Sequence, residues 1–94
     1  MELLSEDAVD AALPGLGWHR DGAELEKVVR REGFAGALAY VNEVGRLAEE
    51  AGHHPDIAIH WDTVTLRLST HSRGGITDAD LALASQIDAL PEPG

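Results

Sequence analysis

The 94-residue chain has no cysteine, which excludes disulfides, thiolate nucleophiles and cysteine-ligated zinc. Bases are scarce: seven Lys and Arg stand against 17 Asp and Glu, a formal charge of −10. Binding to a phosphate backbone needs a basic face, so a nucleic-acid partner is not expected. An anionic membrane surface is excluded on the same ground. No apolar run approaches a membrane span, and the opening stretch, Met1 to Leu13, is acidic where a secretory signal must be basic. These absences leave a cytoplasmic protein as the expectation, with a neutral small molecule as a compatible partner.

What is present is ordinary globular composition, with 44% hydrophobic and 26% charged residues. The length fits a single domain over residues 1–94, with Pro91 to Gly94 as a frayed tail. A chain this short buries only about 60–68% of its unfolded surface, so its core is thin and self-association would help it. There is no repeat, low-complexity tract or internal linker.

Ser5 caps a first short helix, Glu6 and Asp7 suit its positive end, and Pro14-Gly15 stops it. A strand from Trp18 to Arg20 follows, with Asp21-Gly22 as a hairpin turn. In the return strand, Ala23 to Arg31, the apolar positions Leu25, Val28 and Val29 break alternation and suggest a bulge. From Phe34 to Glu50 the spacing of Phe34, Leu38, Val41, Val44, Leu47 and Ala48 predicts an amphipathic helix, stopped by Gly52. Ile57, Ile59 and Trp61, then Val64, Leu66 and Leu68, alternate around Asp62-Thr63. A two-residue turn there pairs Trp61 with Val64, Ile59 with Leu66 and Ile57 with Leu68. His60, Thr65, Arg67 and Ser69 then occupy the solvent face. Thr77 and Asp80 form a capping box for a last helix whose inward stripe is Leu83, Ile87 and Leu90, with Ile76 and Leu81 as a hydrophobic staple. The resulting order is α-β-β-α-β-β-α. An α+β fold satisfies every stripe, as a four-stranded antiparallel sheet with its helices packed on one face.

Five histidines are present, and four of them, His53, His54, His60 and His71, lie close together in sequence. His53, His54 and Pro55 occupy the crossing from the long helix into the second hairpin. His71 lies just past that hairpin's second strand. The same pairing count sets Pro55 opposite Thr70, so His53, His54 and His71 should gather at one edge. Loop histidines are commonly no more than solvated surface residues. A histidine metal site is the other alternative, but adjacent histidines rarely ligate one ion and no H-E-x-x-H spacing occurs, so no metal is expected. Asp80 also has a plain role as a helix cap, and Trp18 and Trp61 as core residues.

From Leu13 to Asp88 the chain resembles the pterin-4a-carbinolamine dehydratase family. The resemblance is carried by Gly17-Trp18, Glu49, His53-His54-Pro55-Asp56, Trp61, Leu66-Arg67-Leu68-Ser69-Thr70-His71, Asp80-Leu81-Ala82 and Ile87-Asp88. The paired histidine-proline motif with the later Ser-Thr-His is specific in combination. The resemblance implies that His53, His54 and His71 are catalytic, that Asp80 supports the site, and that Glu49 is the carboxylate ending the long helix. It implies pterin contacts from the stretches His53 to Pro55 and Thr70-His71-Ser72-Arg73, with Trp18 as an aromatic near the pocket. His19 and His60 have no counterpart and are expected to be surface residues. Ile57 departs from the family, where an aromatic is common.

The implied reaction is loss of water from a 4a-hydroxytetrahydropterin such as 4a-hydroxytetrahydrobiopterin, in tetrahydropterin recycling. Imidazoles titrate near neutrality and serve both proton transfers, with His53 as base and His54 or His71 as acid. No cofactor is required. The family also implies a homodimer or homotetramer, and an interaction module of the same fold is the alternative to an enzyme.

Overall fold

The computed structural model describes residues 2–91, so residues 92–94 of the expected tail lie outside the described residues. Helix α1 spans Glu6–Ala12, and the Ser5 hydroxyl accepts the Ala8 N–H at 3.1 Å, as the cap predicts. The Arg20 guanidinium ties this helix to the sheet by donating to Asp10 at 2.9 and 3.2 Å, a pairing that holds the Asp10 carboxyl below its ordinary range. Strands β1 (His19–Asp21), β2 (Glu24–Arg30), β3 (Asp56–His60) and β4 (Thr63–Leu68) form one antiparallel sheet in the order β1-β2-β4-β3. Helices α2 (Gly33–Ala51) and α3 (Asp78–Asp88) complete the expected α+β order, with a 3₁₀ turn at His71–Arg73 added before α3. No described helix is long and apolar enough to cross a membrane.

Both hairpin turns are displaced from their expected positions by one residue. Asp21 pairs with Glu24, so the first loop is Gly22-Ala23 rather than Asp21-Gly22. Gly22 takes φ +63°, where the lack of Cβ is an advantage. In the second hairpin His60 pairs with Thr63, so the loop is Trp61-Asp62; Ile59 faces Val64 and Ile57 faces Leu66. The shift preserves parity, so the inner and outer faces stand as expected. Trp61 does not join the core: it sits in the loop at φ +58° and is 70% exposed. Asp62 fixes this turn, because its carbonyl accepts the Arg31 N–H at 2.8 Å and its carboxylate takes Arg30 Nε at 2.8 Å and Thr63 Oγ1 at 3.0 Å.

The expected bulge in β2 is not found. Pairing with β4 runs unbroken from Leu25↔Leu68 to Arg30↔Thr63. The alternation fails because Lys27 takes an inner-face position between the buried Leu25 and Val29, while Val28 faces out, 57% exposed. A lysine is tolerated there because Asp88, at the end of α3, bonds its ammonium. The same carboxylate accepts the Gly17 N–H at 2.6 Å and the Trp18 indole N–H at 3.0 Å. A Cβ at Gly17 would approach Lys27 Nζ to 2.9 Å, and the end of that side chain would have to shift.

The apolar stripe of α2 is also rotated from the expected one. Ala37, Tyr40, Val44 and Ala48 are buried, whereas Phe34 and Leu38 are 47% and 41% exposed. Tyr40 is on the buried side, with the Arg31 guanidinium over its ring, 4.3 Å from the ring centroid. The core is completed by Val64, Leu66 and Leu68 of β4 with Leu83, Ala84 and Ile87 of α3. On the outer face, Arg67 bonds Glu24, Asp21 and Glu26 at 2.7, 3.0 and 2.6 Å. These carboxylates hold the guanidinium firmly in its charged form.

Asp88→Ala removes the shared acceptor of Gly17, Trp18 and Lys27 in a largely buried setting. Its urea unfolding midpoint should fall by the equivalent of about 1–3 kcal/mol. A change within experimental error would show that this carboxylate does not fasten α3 to the sheet.

Candidate active site

Gly52 places His53. It caps α2 in the left-handed region, at φ +63°. Its N–H reaches the Glu49 carbonyl at 3.3 Å while the His53 N–H reaches the Ala48 carbonyl at 3.1 Å, the double closure of a Schellman motif. The backbone of His53 is therefore locked to the end of α2 before β3 begins. Counting on from the pair Asp56↔Arg67 brings residue 53 level with residue 70. This is two positions closer to the far strand's end than the expected pairing of Pro55 with Thr70.

Asp80 is the centre of the arrangement. It is fully buried, at 0% exposure, in the first turn of α3. Its Oδ2 accepts the Thr77 N–H at 2.8 Å, completing the capping box with Thr77, and also accepts the Thr70 hydroxyl at 2.8 Å. Its Oδ1 lies 2.5 Å from Nε2 of the half-buried His53. An ionised carboxylate has no hydrogen to give, so the ring donates from Nε2, and in the neutral ring the lone pair lies on Nδ1. One carboxylate thus closes a helix end, joins the strand end at Thr70 and orients an imidazole.

The remaining residues take up more exposed positions. His54 is exposed, with Nε2 2.6 Å from Oε2 of Glu49, itself exposed on the last turns of α2. His71, Ser72 and Arg73 form the exposed 3₁₀ turn, whose base is closed by the bridge Thr70↔Gly75. The Thr70 N–H meets the Gly75 carbonyl at 2.7 Å, and Gly74 turns the chain at φ +75°. His71 is thus one residue beyond the Thr70 hydroxyl that shares Asp80 with His53. Pro55 is half-buried at the entry to β3. Trp18 is elsewhere: its indole is bound to Asp88, at the opposite end of α3 from Asp80. At 1.5 Å per residue the two carboxylate positions are about 12 Å apart along the helix. His60 and His19 are exposed, and His19 pairs with Glu26 at 2.9 Å.

Neither of two surface cavities reaches these histidines. One, of about 650 Å³, lies between α2 and the end of α3 and includes Arg31, Tyr40, Arg46 and Leu90. The other, of about 200 Å³, lies under the N-terminal segment beside Gly74 and Gly75. The geometry of the hydrogen bonds, not cavity volume, singles out His53, which among the described residues is the histidine bonded to a fully buried carboxylate. Among the described residues no three His, Asp or Glu side chains are grouped as metal ligands. The sequence read Thr77 only as a cap; that its hydroxyl also meets Thr70 at 2.8 Å depends on a contact between segments that no local pattern encodes.

Over residues 2–90 the sequence matches the family described as Pterin 4 alpha carbinolamine dehydratase. A Nocardia farcinica protein named "Putative pterin-4-alpha-carbinolamine dehydratase" is 52% identical over 90 residues, 95% of each chain. A Roseiflexus castenholzii protein of the same name is 48% identical over 89 residues, 94% of this chain and 96% of its own. The crystal structure of a transcriptional coactivator/pterin dehydratase from Brucella melitensis is similar at a TM-score of 0.87 and 26% identity, covering 94% of this chain and 97% of that one. A pterin dehydratase-like protein, identified as a RuBisCO assembly factor in the alpha-carboxysome, reaches a TM-score of 0.66 at 26% identity, covering 78% and 87%.

Asp80→Ala strips a cap and leaves the Thr70 hydroxyl and the His53 N–H without their acceptor. Denaturant unfolding should show a loss of about 2–4 kcal/mol. His54→Ala breaks only an exposed pair and should change stability by less than about 1 kcal/mol. Equal losses in the two variants would contradict the central place given to Asp80.

Proposed function

The chain belongs to the pterin 4 alpha carbinolamine dehydratase family, and we propose that it eliminates water from a 4a-hydroxytetrahydropterin to give the quinonoid dihydropterin. The observation that carries this reading is the His53–Asp80 pair, an oriented imidazole beside a short loop that bears a second histidine. The substrate holds a hydroxyl on sp³ C4a next to N5–H. Hydroxide is a poor leaving group, so one acid must protonate it while a base takes the N5 proton. Nδ1 of His53 receives that proton, and Asp80 balances the positive charge as it forms. An imidazolium at His54 or His71 protonates the hydroxyl. The C4a–O bond then breaks, the N5 electrons form C4a=N5, and water departs. Both transfers are general acid–base steps, and no change of oxidation state is involved.

The supporting residues follow from their positions. Glu49 orients His54, and Pro55 with Thr70, Ser72 and Arg73 frames the pterin ring. Trp18, fixed at the other end of α3, is given no contact with it. The substrate is a soluble pterin and the reaction belongs to tetrahydropterin recycling in the cytoplasm.

Self-association accompanies this reading. β3 is an edge strand, paired only with β4, and leaves Ile57, Trp61 and the α2 residues Phe34 and Leu38 exposed. Two copies of β3 placed antiparallel about Ala58 would set Ile57 of each against Ile59 of the other, and Asp56 against His60. Such a pairing is two-fold symmetric and covers an edge that is otherwise open to indiscriminate pairing.

The deciding experiment is a dehydration assay on freshly generated 4a-hydroxytetrahydropterin. His54→Ala and His71→Ala should each lower turnover roughly 10²–10⁴-fold while the unfolding midpoint holds, and His60→Ala should leave turnover unchanged. A wild-type protein that gave no acceleration would refute the enzyme and leave an interaction module of the same fold. For the edge, light scattering should show the mass of the assembly falling on Ile57→Arg. An unchanged mass would remove β3 as the interface.

A further inference from the structure

We propose that the Thr77 hydroxyl is a positioning residue for His53, acting through a one-way chain of hydrogen bonds that ends on Asp80. Each threonine hydroxyl has one hydrogen. That of Thr70 is given to Asp80 Oδ2 at 2.8 Å, so the 2.8 Å contact between the two hydroxyls must be donated by Thr77. Thr77 Oγ1 in turn accepts the Ala79 N–H at 3.3 Å. The direction of every link is therefore fixed: backbone N–H at the start of α3, then Thr77, then Thr70, then Asp80. The Thr77 N–H also reaches Oδ2, at 2.8 Å.

The consequence falls on the other oxygen. Two donors occupy Oδ2, so the carboxylate cannot rotate to share it with the imidazole, and Oδ1 faces His53 alone. Thr70, Thr77 and Asp80 are all buried, so water cannot substitute for a lost link. The ring is held as the Nε2–H tautomer with Nδ1 available for proton exchange. Helix capping alone would need only the Thr77 acceptor and the Asp80 carboxylate. It would not need the Thr77 hydrogen, nor Thr70.

The inference rests on the proposed function only in naming the proton that Nδ1 takes; the tautomer claim stands without it. The test uses the full-length protein with ¹⁵N-labelled histidine and the variants Thr70→Val, Thr70→Ser, Thr77→Val and Thr77→Ser. Long-range ¹H–¹⁵N spectra read the protonation pattern of the His53 ring directly. Wild type should show a single Nε2–H tautomer. Thr70→Val leaves both capping bonds in place and should turn this into a mixture, with kcat lower by roughly tenfold, the loss of one hydrogen bond to a charged group. Thr77→Val should give the same spectral change with reduced stability, and both serine variants should restore the wild-type pattern. If either Thr70→Val or a folded Thr77→Val kept the wild-type ring spectrum, the chain would not orient His53 and the proposal would fall. Should Thr77→Val not fold, Thr70→Val decides alone. A wild type without dehydratase activity but with the expected spectra would sustain the positioning claim and refute the function.

Discussion

A fully buried carboxylate is tolerable only if every lone pair it turns inward finds a donor, and much of this site is arranged to meet that requirement at Asp80. Its donors come from three chain segments: the start of α3, the end of β4, and the residue after α2. None of the three lies next to another in sequence. Satisfying the charge therefore brings together the ends of two helices and a hairpin. The chemistry proposed here uses a geometry that the fold must build in any case to bury that charge.

The helix ends reinforce the arrangement. Asp80 lies in the first turn of α3, where exposed N–H groups favour an anion. His53 follows the last turn of α2, where the negative end of the helix dipole favours a cation. An imidazolium–carboxylate pair at this position has each partner on the helix terminus that suits its sign. His54 has a carboxylate partner of its own in the exposed Glu49, 2.6 Å away.

Much of this was legible from residues alone, and the failures have identifiable causes. Caps at Ser5, Gly52 and Thr77 are local devices, so sequence reading located them. Register parity survives the displaced turn, but the expected pairing of Pro55 with Thr70 moves by two residues, to His53. Turn position was not legible, because Asp62 anchors its loop through Arg30 and Arg31, residues that belong to another strand end. The α2 stripe was misread because Tyr40 and small Ala37 form the buried side while Phe34 and Leu38 lie outside it. Hydrophobicity shows that a helix has two apolar edges without showing which one meets the core. Lys27 defeated the alternation rule for a similar reason: its partner, Asp88, lies 61 residues away in sequence. Trp18 shares that distant partner through its indole N–H.

The dual duty of Asp80 bears on how the site is to be read. Because the same carboxylate caps α3 and orients His53, its removal lowers stability and disturbs the ring together, and a lost activity there would not identify a catalytic contribution. His54 and His71 are exposed and carry no comparable structural duty, so activity and folding separate at those positions. Thr70 stands between the two cases. Its backbone closes the loop that presents His71, through the bridge to Gly75, while its side chain alone reaches Asp80. A substitution that keeps its shape and removes its hydroxyl spares the loop and the helix cap and alters only the field around the carboxylate. At this one residue, orientation of the histidine can be varied without unfolding the structure that holds it.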